Sequence, residues 1–129
     1  GYFYMIDFQN GGFFKLKPVA PNTVTPILQP LFIEGEQVIA CFQGIRDSVT
    51  FTDMRIIAVN VQGFTGKKKD FTSLPYSKIQ AYSIESAGMF DLDSELELYF
   101  SGLGKVKFEF VGNADTAAIS RIISKYVLR

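Results

Sequence analysis

The sequence predicts an α+β domain in which about seven antiparallel strands come first and one amphipathic helix comes last, packed on an open end or face of the sheet. Two patterns carry that reading. From Gln37 onward, strand-length runs rich in β-branched and aromatic residues are separated by Gly, Asp and Ser, as in a meandering antiparallel sheet. At the end of the chain, Ile119, Ile122, Ile123, Tyr126 and Val127 recur at helical spacing. The length of 129 residues sets a third bound, room for one domain around one core.

The first third is punctuated by Pro18, Pro21, Pro26 and Pro30, which predicts loops and one short helix. Thr25 is placed to cap that helix, with Pro26 at its first position and Ile27, Leu28, Leu31 and Phe32 as its apolar face. Residues 1–35 are read as an N-terminal extension packing on a domain that occupies residues 36–129. Strands are expected at about residues 37–46, 49–52, 55–62, 68–75, 79–86, 94–101 and 105–111. Along residues 55–62, Ile57, Val59 and Val61 share one face while Ile56, Ala58 and Asn60 share the other. Residues 37–46 repeat this, with Val38, Ala40 and Phe42 opposed to Ile39, Cys41 and Ile45. Strands apolar on both faces are either covered by the N-terminal segment or face another subunit.

The last two strands alternate cleanly. Leu96, Leu98, Phe100, Val106, Phe108 and Phe110 face one way, while Glu95, Glu97, Lys105, Lys107 and Glu109 face the other. A three-residue loop keeps both apolar sets together, and two such loops fit. A loop of residues 101–103 pairs Glu97 with Lys107 but asks Leu103 for a left-handed backbone, at about 1–2 kcal/mol. A loop of residues 102–104 gives that place to Gly104 and sets Glu97 opposite Glu109. A cross-strand charge pair is worth only about 0.2–1 kcal/mol, so the sequence favours the second register. Asp115 or Asn113 can cap the closing helix, and Lys125 with Arg129 suits its negative end.

Thirteen basic and thirteen acidic side chains give zero formal net charge, so no global field steers the molecule to nucleic acid or an anionic membrane. The single cysteine, Cys41, lies in an apolar run of a chain without His, which predicts a buried thiol in a reducing compartment and a cytoplasmic location. No stretch approaches the roughly 18 uninterrupted apolar residues of a spanning helix, and no export-signal pattern opens the chain. Without His the commonest general base and zinc ligand are missing, and no Ser or Cys has the partner spacing of a nucleophile. No catalytic, cofactor-binding or metal-binding residue is assigned, and no cofactor is expected.

Two sets of residues remain as candidate sites. Lys67, Lys68 and Lys69, beside Gly63 and Gly66 and joined by Lys78, could meet a phosphate or an anionic membrane. Asp70 dilutes that charge, and the scarcity of nearby Arg and aromatic platforms points away from nucleic acid. Leu31, Phe32, Ile39, Cys41, Ile45 and Ile56 could be contacted by another copy, the alternative being ordinary burial beneath the N-terminal segment. Asp91, Asp93 and Glu95 alternate but offer too few oxygens, and no sharp glycine turn, for a calcium loop.

The stretch from Phe51 to Ile79, with Asp53-Met54-Arg55 ahead of an apolar strand and Leu74-Pro75-Tyr76 at its end, resembles the bacterial pleckstrin-homology (PH) domain family. The run from Phe90 to Phe100 and the closing helix fit the same pattern, so the resemblance covers about residues 36–128. It implies a PH-like, seven-stranded antiparallel barrel or sandwich capped by the C-terminal helix. It also implies homo-oligomers, side-by-side rings included, and brings no catalytic residues. Eukaryotic PH domains bind phosphoinositides through a basic cluster between their first two strands, where the matching segment here has only Arg46, followed by Asp47. The expected function is a non-catalytic module that associates with itself and presents a surface to an unidentified protein. The alternative is peripheral membrane or phosphate-ligand binding through the basic loop.

Overall fold

The computed structural model describes residues 13–62, 67–86, 93–112 and 114–129. Eight strands run in the order β1 Phe13–Val19, β2 Val38–Gln43, β3 Asp47–Thr52, β4 Arg55–Gln62, β5 Lys68–Pro75, β6 Ile79–Ser86, β7 Ser94–Phe100 and β8 Gly104–Phe110. Helix α1, Thr25–Leu28, follows β1, and helix α2, Thr116–Val127, ends the fold. The strands form one sheet in the order β5-β4-β3-β2-β1-β8-β7-β6, strongly curled into a half-barrel.

The count is eight rather than the seven expected, because the proline-rich first third holds β1. This strand joins the two halves of the sheet by changing neighbours. Phe13 and Leu16 pair in parallel with Phe108 and Phe110 of β8, after which Lys17 to Val19 pair antiparallel with β2. A bulge at Phe14 and Lys15 allows this, with Lys15 at φ 53°, and it turns both Phe13 and Leu16 into the core at a spacing of three. Pro18 is tolerated because the pairing of β1 with β8 reaches only Leu16, so its missing N–H costs no ladder bond on that side. The short helical stretch also differs from expectation. Thr25 lies inside α1, with Val24 at the cap position, and its hydroxyl bonds back to the Pro21 carbonyl at 2.5 Å.

The β2–β3 turn lies about three residues earlier than the sequence suggested, because β2 stops at Gln43 and β3 already begins at Asp47. Gly44, Ile45 and Arg46 form it, closed by the Gly44 N–H donating to the Asp47 carbonyl at 2.8 Å. Gly44 is required by space, since a Cβ there would sit 2.9 Å from the carbonyl oxygen of Phe14 in the β1 bulge.

The β7–β8 hairpin adopts the register that the turn argument rejected. Glu97 stands opposite Lys107, Phe100 opposite Gly104, and Glu95 opposite Glu109. Leu103 pays no left-handed penalty, because the positive φ falls on Gly102 (84°) and on Gly104 (89°), the first residue of β8. The favoured register assumed a single left-handed position at the loop's end; with two glycines available, the charge pair comes without strain.

Inside the curl, Phe13, Phe42, Phe51, Phe108 and Phe110 pack with Ile56, Leu96, Leu98, Ile119 and Ile123. Edge-to-face ring contacts, such as Phe42 on Phe110 at 4.7 Å, tie the two halves together. Helix α2 closes this core with Ile119, Ile123 and Tyr126, as its periodicity predicts. Its cap is Asp115, whose carboxylate accepts from the Ala118 N–H at 3.0 Å. Tyr126 stacks on Tyr76 at 5.0 Å, and the Tyr76 hydroxyl donates to the Thr52 carbonyl at 2.7 Å.

Candidate interaction surfaces

The outward face of β2 to β4 is apolar, and the N-terminal segment covers it. Val24 and Leu28 pack over Cys41, Ile57 and Val59, flanked by Val19, Phe32 and Val38. Burial pushes the Cys41 thiol above its ordinary pKa, partly offset by the Thr50 hydroxyl. Two of the six residues proposed for contact with another copy are thereby withdrawn. Cys41 lies under α1, and Ile56 faces the main core opposite Phe51 and Leu74. Phe32 is half-buried at the margin of the outer layer, whereas Leu31, Ile39 and Ile45 are exposed.

A buried ion pair holds this cover in place. Glu36 has a fully buried side chain and accepts from the Arg55 guanidinium through both oxygens, each at 2.9 Å. The Thr52 hydroxyl adds a bond of 2.7 Å and the Ile33 N–H one of 3.1 Å. Arg55 spends its other donors on the Leu31 carbonyl at 2.7 Å and the Ser73 hydroxyl at 2.9 Å. Burial alone would raise the Glu36 pKa, but the bonds from Arg55, Thr52 and Ile33 outweigh it and hold the carboxyl below its ordinary value. Nothing in the spacing of Glu36 and Arg55 announces this pair, because their meeting depends on how the chain returns from α1 to the β3–β4 turn.

Ile45 stands at the tip of the β2–β3 turn, 94% exposed. Two open cavities adjoin it. One, of about 540 Å3, is lined by Phe14, Lys15, Ile45, Arg46, Asp47, Asn60 and Val61. The other, of about 380 Å3, shares Ile45, Arg46, Asp47 and Val61 and adds Val24, Ile27 and Lys69 among others. Asp47 is half-buried there; burial raises its pKa, and the Asn60 amide at 2.6 Å and the Arg46 charge offset this in part. Phe14, 57% exposed, is the contributor that sequence reasoning missed, since a bulge rather than an alternation turns it outward.

The lysines are not brought together. Lys68 and Lys69 open β5 opposite Gln62 and Val61, with Lys67 just before them, while Lys78 lies in the 3-10 turn beyond Pro75. Seven strand steps at about 3.3 Å separate the two ends, roughly 23 Å. Gly63, Gly66 and Asp91 lie outside the described residues. At the opposite end of the sheet, Glu85, Asp93, Glu95 and Glu109 line an open cavity of about 250 Å3 with Ser94. Among the described residues no group of three potential ligands is placed to hold a metal ion, and no helix is long and apolar enough to cross a membrane.

A family model, the bacterial PH domain, matches residues 7–127. The uncharacterized protein YozO of Bacillus subtilis (strain 168) is 31% identical over 109 residues, 84% of this chain and 94% of that protein. Another uncharacterized protein of the same organism, YjqA, is 52% identical over 75 residues, 58% of this chain, and the match spans 60% of YjqA's length. Among solved structures, a DUF1696 family protein with a pleckstrin-homology domain from Shewanella loihica is 33% identical, with a TM-score of 0.77 over 91% of this chain and 99% of its own. A pleckstrin homology domain from Shewanella amazonensis is 31% identical, with a TM-score of 0.67 over 93% of this chain and 94% of its own. By both sequence and fold, this chain belongs to the bacterial PH domain family.

Proposed function

We propose that the domain is a non-catalytic cytoplasmic binding module that associates with further copies of itself through its outer β2–β4 side and presents a surface to a protein partner. The observation that supports this is the continuity of exposed apolar side chains: Phe14 and Ile45 share one cavity, and Ile45 and Ile27 share the next. Leu31, Ile33 and Ile39 add exposed apolar surface from the covering segment and β2. Patches of this kind on a small domain mark association surfaces. Sedimentation velocity at micromolar concentration tests the reading. The wild-type chain should sediment as an assembly, and Ile45→Asp, at a side chain that is almost wholly exposed, should shift it to monomer with its thermal unfolding unchanged. A wild-type chain that sediments only as monomer overturns the self-association.

A second reading, binding of a phosphate ligand or an anionic membrane, draws on Lys69 and Arg46 lining the cavity beside Ile45. It requires vesicles of phosphatidylserine to bind the protein in a salt-dependent manner that Lys69→Glu abolishes. Binding unchanged by salt and by that reversal excludes it.

A further inference from the structure

The eight-stranded sheet ends on β5 and β6. An edge strand offers a row of unpaired N–H and C=O groups, and proteins blunt such rows with lysine, proline, bulges, short length or a covering element. The two edges here are treated differently. β5 carries Lys68 and Lys69 at one end and Pro75 at the other. β6 has eight residues, no lysine and no proline, and its one bulge lies at the very start, between Ile79 and Ala81. Among the described residues nothing pairs with its far side.

The surroundings of that edge select what could be added. On the inner side Tyr82 and Ile84 are half-buried at the margin of the core, and the Tyr82 hydroxyl lies 2.8 Å from the Ser124 hydroxyl of α2. Helix α2 therefore flanks β6, and alternate side chains of a new strand would be received between it and the sheet. On the outer side Glu85 stands directly opposite Glu95, and Glu95 directly opposite Glu109. Three carboxylates thus share one level across three strands, an unfavourable row. Lys107 reaches Glu95 at 3.6 Å, whereas Glu85, nearest the edge, has no ion-pair partner among the described residues.

From this we infer that the β6 edge is a docking site for an extended peptide segment of a partner protein, which enters as a ninth strand. Its apolar residues at alternate positions meet Tyr82, Ile84 and α2, and a lysine or arginine on the outward side stands level with Glu85. Main-chain pairing supplies the attachment, and the alternate side chains supply the selectivity. The inference rests on the reading of the domain as a binding module and specifies the partner's chemistry.

The test uses the full chain, 15N-labelled, and three capped ten-residue probe peptides of alternating valine and threonine. The first carries one central outward lysine, the second a glutamate in its place, and the third the lysine with alternate amides N-methylated along one edge. The lysine peptide should shift the amide signals of Gln80 to Glu85 and slow their hydrogen exchange. It should bind about 1.4- to five-fold more tightly than the glutamate peptide, the span of a cross-strand charge pair. Glu85→Lys should reverse that order, and N-methylation should abolish binding. No response at millimolar peptide, or shifts confined to Phe14 and Ile45, overturns the inference. So does a response of the β6 amides to protein concentration alone, which would place a second copy on the edge. Sedimentation of the same samples separates the two readings: monomer with a β6 response removes only self-association, and assembly without one removes only the peptide site.

Discussion

Glu36→Gln should be among the most damaging isosteric changes in the domain. The carboxylate has no exposed side-chain surface and receives four hydrogen bonds, two of them from Arg55. An amide in the same place accepts at one end only. If its oxygen keeps the Ile33 N–H and Arg55 Nη2, its NH2 faces Arg55 Nε and the Thr52 hydroxyl, whose lone pairs already serve the Met54 and Arg55 N–H groups. The guanidinium also loses its counter-charge. Breaking a buried ion pair on one side costs about 3–5 kcal/mol. Because the Arg55 side chain keeps 21% exposure and some hydration, the cost should fall somewhat below that range, about 2–4 kcal/mol. With a urea slope of about 2 kcal/mol per molar, the unfolding midpoint should fall by roughly 1–2 M. A double-mutant cycle with Arg55→Met isolates the pair. The pH dependence adds a second check. The folded pKa of Glu36 lies below its unfolded value, so its contribution is present in full above about pH 4.5 and is lost as pH falls through the folded pKa. Glu36→Gln should therefore flatten the acid limb of the stability curve. A midpoint shift under about 0.3 M, or strict additivity of the two substitutions, would refute the argument that this pair clamps the N-terminal cover.

Three smaller perturbations test other parts of the fold. Gly44→Ala should destabilise by about 1–3 kcal/mol in thermal or urea unfolding, because the neighbour at 2.9 Å is the Phe14 backbone and cannot swing away. Asp115→Ala removes the α2 cap and should cost about 1 kcal/mol, with Asp115→Asn recovering most of it. Asp47→Asn should leave stability at pH 7 unchanged or slightly higher. The raised folded pKa means that ionised Asp47 is disfavoured by burial, so the wild type should gain relative stability as pH falls toward the carboxyl range while Asp47→Asn should not.

The elements with strong periodicity were legible from the sequence. β4, β5 and β6 coincide with the predicted spans, and α2 buries Ile119, Ile123 and Tyr126 as its stripe requires. What escaped was decided by contacts between distant segments. β1 reads as neither strand nor helix, because the bulge at Phe14 and Lys15 replaces alternation by a spacing of three and Pro18 suggests a loop. Of the surface residues, Ile45 is exposed for a reason other than a strand face. It was assigned to a strand face with Ile39 and Cys41, whereas it occupies the turn, and its exposure comes from the turn ending β2 at Gln43. Lys78 lies away from Lys67 to Lys69 because β5 runs between them and keeps its two ends apart.

The N-terminal segment carries both the chief structural demand and the apolar surface proposed for assembly, and the two have one cause. β4 presents Ile56 and Ala58 inward but Ile57 and Val59 outward, so a sheet apolar on both sides needs a second cover. The segment that supplies it is only one helical turn thick, with 3-10 turns on either side. Val24 and Leu28 turn down onto Cys41, which leaves Ile27 and Leu31 facing outward. A longer amphipathic helix could place polar residues on its outer side, but Pro21, Pro26 and Pro30 keep this cover short and irregular. The Glu36–Arg55 pair follows from the same constraint: a cover with so few apolar contacts of its own is held by a charge clamp at its end, as the loss predicted for Glu36→Gln would show.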